Sequence, residues 1–134
     1  MLGKKKVSYV RARSLSEAHK REHMTLFSAL KNSVLGKDYD LSFSFISANK
    51  MRELNKKYRG KDYATDILSF PLEKNAGEIF ICKTAARPKS RDFGRTLPNY
   101  IAFLFIHGLC HLKGMTHGAT MERQEQKIRK QFGI

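Results

Sequence analysis

One segment constrains this chain more than any other: Leu97 to Lys113, LPNYIAFLFIHGLCHLK. Wound at 3.6 residues per turn it is apolar nearly all round, so it is stable as a helix only when other elements surround it. Pro98 suits the first turn of such a helix, and Gly114 supplies a natural stop. The longest apolar run, Ile101 to Ile106, ends on a histidine and falls far short of the ~20 residues that cross a membrane. A chain of 134 residues fits a single domain, residues 1–134, with this helix at its centre.

The remaining periodicities predict what wraps it. Leu41 to Ile46 alternates with period two, a strand with one apolar face. Ser47 caps a helix to about Tyr58, with Met51, Leu54, Asn55 and Tyr58 on one side and Gly60 at its end. Ile67 to Pro71 and Glu78 to Cys82 read as a hairpin around the turn residues Glu73 to Gly77. Residues 5–10 read as a leading strand. Ser14 to Leu35 reads as a helix capped by Ser14 or Ser16 and stopped by Gly36, with Leu15, Ala18, Met24, Leu26, Phe27, Leu30 and Val34 at roughly helical spacing. Thr84 to Arg91 has helical composition but contains Pro88, so residues 83–95 have no firm assignment. A last helix, from about Thr120 to Phe132, turns Met121, Ile128 and Phe132 inward. The expected class is α+β: a small mixed sheet of about four strands with helices packed on it, the central one carrying histidines.

Those histidines are His107, His111 and His117, three of the chain's five. His107 and His111 share one helix face about 6 Å apart along the axis, so both imidazoles reach one ion at ~2.0–2.1 Å. Gly114 lets the chain turn back, and His117 closes a three-sided site. Three neutral imidazoles leave the ion its full charge and one position open, as in catalytic rather than structural zinc. Zinc is the favoured ion, and nickel, copper or cobalt suits the same donors. Cys110 is the one nearby candidate for a fourth ligand, although a thiol packed in the core is the simpler role. With Cys82 it makes two cysteines, too few for a disulfide framework. The spacing HxxxHxxGxxH is also that of metzincin proteases, whose first histidine is followed by a glutamate acting as general base. Here that residue is Gly108, so the metal framework is present and the proteolytic base is missing.

Charge points to the partner. Lys and Arg number 26 against 12 Asp and Glu, a formal net charge of +14. So basic a domain is expected to meet a polyanion. Lys4, Lys5, Lys6, Arg11, Arg13, Lys20, Arg21, Lys56, Lys57 and Lys61 are candidate phosphate contacts that read no sequence. The basic N-terminus lacks the apolar core of a signal peptide, so a cytoplasmic location is expected.

Taken in order, the motifs resemble the YbeY family of bacterial rRNA-maturation endoribonucleases. HGxxHLxGxxH after an apolar helix is similar to that family's histidine motif. Asn55 to Asp62 (NKKYRGKD) resembles its NxxYRxKD stretch, Thr65 to Pro71 (TDILSFP) its TDVLSFP stretch, and Gly77 to Cys82 (GEIFIC) its GDIxIC stretch. Glu78 and Thr116 stand where the family usually has aspartate, and both are expected near the site. The resemblance implies a metal-dependent hydrolase that cuts single-stranded RNA near the 3′ end of small-subunit rRNA and serves ribosome quality control, with the ribosome or small subunit as partner. It implies a cleft holding the three histidines and maps the family's essential arginine onto Arg59. A guanidinium fork suits the charge that grows on phosphoryl oxygens during cleavage. The expected catalytic set is Arg59, His107, His111 and His117. Asp62, Asp66 and Ser69 are expected either to support it or to shape the turn before the strand. Ion-activated water and the RNA 2′-OH both remain open as nucleophile. The rival readings are a non-catalytic RNA-binding or ribosome-assembly factor with structural zinc, and a small metalloprotease with its base supplied from elsewhere.

Overall fold

The computed structural model describes residues 17–134, with side chains from Leu26 onwards. In chain order the elements are α1 (Glu17–Leu35), β1 (Asp40–Phe45), α2 (Ala48–Arg59), β2 (Ile67–Glu73), β3 (Ala76–Ile81), α3 (Lys83–Asp92), α4 (Leu97–Leu112) and α5 (Ala119–Phe132). The leading strand expected over 5–10, the Ser14 or Ser16 cap with Leu15, and the basic residues Lys4, Lys5, Lys6, Arg11 and Arg13 lie outside the described residues. So do the side chains of Ala18, Lys20, Arg21 and Met24.

The sheet is mixed, in the order β1-β3-β2. β1 runs parallel to β3 and β2 antiparallel to it, so Phe43 and Ser69 both flank Ile79. The expected α+β class holds, with three strands among the described residues rather than about four. The hairpin turn is tighter than expected: the strands extend to Glu73 and from Ala76, leaving Lys74-Asn75 between them. Pro71, which cannot donate to a ladder, lies on an edge strand beside the register shift between Pro71 and Glu73.

Two layers cover the sheet. On one face Leu41, Phe43, Ile79 and Ile81 join Phe105, Ile106 and Leu109 of α4, with Phe27 and Leu30 of α1 and Met121 and Ile128 of α5 closing the same core. On the other, Met51 and Leu54 of α2 pack on Leu68 and Cys82. Ten of the 16 residues of α4 are buried, which makes it the central helix its composition demands. Its start is fixed by the Thr96 hydroxyl, which accepts from the Asn99 N–H at 3.3 Å. A side chain at Gly108 would place its Cβ 2.9–3.0 Å from Ser69 Oγ and the Ile67 and Ile79 methyls, so this glycine lets α4 settle onto β2 and β3.

The segment without firm assignment is helical. Pro88 sits inside α3, removing the N–H that would meet the Thr84 carbonyl. Thr84 and Pro88 are both exposed, so the freed carbonyl belongs to a solvent-facing residue and the helix tolerates the proline.

Candidate metal centre

His107 and His111 stand one turn apart on α4. Gly114, at φ +98, releases the chain from the helix and His117 returns over the two. The three ring centroids lie 4.6, 4.7 and 5.2 Å apart. One donor atom from each lies within 4.8 Å of the others. The Nε2 atoms of His107 and His111 are 3.1 Å apart. Two ligands at zinc–nitrogen bond length on a tetrahedron stand about 3.3 Å apart, so the chain presents this pair at chelating separation. The donor set therefore fits one divalent transition-metal ion.

Glu125 of α5 was not visible as a site residue in the sequence. Its Oε2 lies 2.6 Å from His107 Nδ1. A carboxylate only accepts, so Nδ1–H is the donor and the Nε2 lone pair is left facing the cluster. The signal was its position: Met121, Glu125 and Ile128 share the inward stripe of α5, and an acid on a buried stripe needs a partner.

Burial, then the neighbouring His107 and His117, holds the His111 imidazole below the ordinary histidine range. Both effects favour the neutral ring that a metal requires. Cys110 is fully buried. Burial pushes its thiol up to about 11, with the charge of Glu125 adding to the effect. It belongs to the core around α4, and the clustered donors are the three histidines without it.

The histidines open onto a cleft of about 610 Å³ whose wall is β2 and whose far rim is Arg59. Several contacts place Arg59 there. It ends α2, where Gly60 takes the left-handed conformation at φ +70 and Lys61 N–H returns to the Asn55 carbonyl at 3.3 Å. The buried Asn55 amide donates to Tyr63 O at 2.9 Å and holds the following loop. Tyr58 packs edge-on against Phe70 of the cleft wall at 5.5 Å.

The three supporting candidates separate. Ser69 lines the cleft, and so does Thr65, which sequence reasoning passed over inside its TDILSFP motif. Asp66 is buried, accepts from Tyr100 OH at 2.9 Å and pairs with Lys89 at 3.5 Å. It lines a second cleft on the other side of His107 and His117. Asp62 instead pairs with Arg52 on the surface, at 2.7 and 3.2 Å, and shapes the turn after α2. Glu78 corrects an expectation. Strand alternation turns it to the α2 face of β3, away from α4, where it is buried. Thr116 is exposed beside His117.

An α+β domain whose cleft exposes three clustered imidazoles and leaves their fourth side free has the architecture of a hydrolytic metal enzyme rather than of a closed structural zinc site. The family model described as Endoribonuclease YbeY matches residues 7–133. Proteins named endoribonuclease YbeY are similar over most of the chain. That of Sulfurimonas denitrificans is 36% identical, covering 84% of each chain. That of Helicobacter pylori is 40% identical, covering 71% of each. That of Alkaliphilus metalliredigens is 37% identical, covering 71% of this chain and 68% of its own. A solution structure from Thermotoga maritima superposes with a TM-score of 0.61 at 26% identity, covering 84% of this chain and 83% of that one. The chain belongs to the endoribonuclease YbeY family. Among the described residues no helix is long and apolar enough to cross a membrane.

Proposed function

We propose that residues 1–134 form one catalytic domain, a zinc-dependent endoribonuclease that cuts single-stranded RNA in the maturation of small-subunit rRNA and in ribosome quality control. The observation that carries the reading is that Arg59 and all three histidines line one cleft. His107, His111 and His117 would hold the metal. A divalent ion bound there supplies Lewis-acid charge and lowers the pKa of water towards ~7.

The chain's own groups do the rest. Glu125 keeps the proton on His107 Nδ1, which orients the ring and leaves Nε2 as the ligating atom. Arg59 offers a fork of N–H donors to the phosphoryl oxygens as negative charge grows on them. The Thr65 and Ser69 hydroxyls line the wall between and donate to the same phosphate. Among the described residues no carboxylate lines this cleft, so none of them repels the RNA backbone. Lys56, Lys57 and Lys61, all exposed near Arg59, extend the favourable field along the strand. A cytoplasmic location and association with the ribosome or its small subunit belong to the same reading.

The test compares the metal-loaded chain with His111→Ala and Arg59→Ala on a single-stranded rRNA fragment, all three purified identically. Cleavage is expected to be lost in both variants while His111→Ala still binds RNA. Equal cutting by all three would assign the activity to a contaminant. Binding without cutting by any of them would make the chain an assembly factor instead. A 2′,3′-cyclic phosphate on the product would identify the RNA 2′-OH as nucleophile.

A further inference from the structure

The histidines divide two clefts. Beyond His107 and His117, away from Arg59, lies a second cleft of about 420 Å³ between α4 and α5, floored by Tyr100 and Phe103 with Phe93 at its mouth. Its chemistry differs from the first. Where the first holds Arg59, two hydroxyls and, among the described residues, no acid, the second holds Asp66, Glu122 and Glu125 beside one arginine, Arg129, whose guanidinium already lies over the Phe103 ring. Asp66 and Glu125 are already committed to Tyr100 and His107, while Glu122 is exposed. With three carboxylates against one guanidinium that is occupied by Phe103, a phosphate is disfavoured, whereas a nucleobase brings amino donors and a flat π face.

The aromatic groups fit such a face. Tyr100 and Phe103 are stacked at 5.6 Å and 16°. Phe103 is also held by Arg95 and Arg129, whose guanidinium carbons lie 4.6 and 4.8 Å from its ring centre. This fixes the floor. Phe93 rests against both rings, at 5.4 and 5.6 Å, yet remains 56% exposed, the most exposed of the large hydrophobic residues described. A phenylalanine so exposed at the mouth of a site offers a flat π face on which a base can stack.

We propose that this second cleft is a nucleobase subsite in which Phe93 is the stacking platform, holding the base of a nucleotide flanking the phosphate at the histidines. The inference rests on the RNA-cleaving reading of the first cleft and assigns the direction in which the strand leaves it. Phe93 acts on binding and position. Glu122 accepts from an exocyclic amino group, which would favour adenine, cytosine or guanine over uracil there.

The experiment is a double-mutant cycle on the full metal-loaded chain. Wild type, Phe93→Leu and Phe93→Tyr are titrated by fluorescence anisotropy with single-stranded hexaribonucleotides, intact or abasic at one position in turn. Stacking on an aromatic ring is worth roughly 5- to 150-fold per base. Wild type and Phe93→Tyr are expected to lose a factor of that size at one abasic position, and Phe93→Leu to lose little there. Phe93→Leu that weakens intact and abasic RNA equally, or neither, overturns the subsite. Thermal unfolding of each variant separates this from loss of fold. If cleavage and binding persist without coupling, the subsite alone fails. If wild type neither binds nor cuts RNA, both readings fall.

Discussion

Glu125, half-buried, and Glu78, fully buried, are both carboxylates placed by tertiary packing, and their environments give them opposite tasks. Glu125 meets a ring N–H at 2.6 Å. Such partners typically change metal affinity by about 10- to 100-fold. Glu125→Ala is therefore expected to weaken zinc binding by that factor in competition with a chromophoric chelator, and unchanged affinity would contradict the role. Glu78 has an oxygen without a hydrogen-bond partner among the described residues. Burial pushes its carboxyl up to about 7 from an ordinary 4.5. Between those values the folded chain holds a proton that the unfolded chain has released, so stability falls as pH rises from about 4.5 to about 7. Glu78→Gln is expected to remove that slope and to gain roughly 1–3 kcal/mol at pH 8. Urea unfolding at pH 5 and pH 8 measures it, and a variant less stable than wild type at pH 8 would contradict the assignment.

Among the elements, α4 was the most legible in the sequence, because an all-apolar helix with an early proline and a terminal glycine has one place to go. The histidine pair came with it, since helical spacing alone brings positions 107 and 111 together, and Arg59 came with the motif of α2. Three features were not legible. The α3 helix was obscured by Pro88, whose cost is small where the freed carbonyl is on an exposed residue. Glu125 pairs with His107 only through the packing of α5 on α4. Glu78 was expected near the metal, and its side follows from strand register rather than from sequence distance. Gly108 was read as a missing catalytic base, and the packing adds a second reason for it. Its Cβ position is already filled by Ser69, Ile67 and Ile79. Gly108→Glu is thus expected to create no protease and to destabilise the domain by about 3 kcal/mol or more. Thermal unfolding and casein hydrolysis check this, and a stable variant that cuts casein would refute it.

For the whole molecule, a formal charge of +14 and two clefts of different character meet at one histidine cluster. The backbone of an RNA strand is drawn to the cationic surface, its phosphate to Arg59 and a neighbouring base to the aromatic cleft. Affinity should then depend steeply on salt. With roughly four to six phosphates contacted, binding of single-stranded RNA is expected to weaken roughly 50- to 350-fold between 50 and 200 mM salt. Anisotropy titrations measure it, and a flat response would remove RNA as the main partner.

The central claim is that the three-histidine centre does the cutting, and metal removal with add-back tests it most directly. Chelation is expected to abolish cleavage of a single-stranded rRNA fragment, and about one equivalent of zinc per chain to restore it in wild type but not in His111→Ala. Cleavage at full rate by the stripped chain, or equal recovery by His111→Ala, would contradict the account.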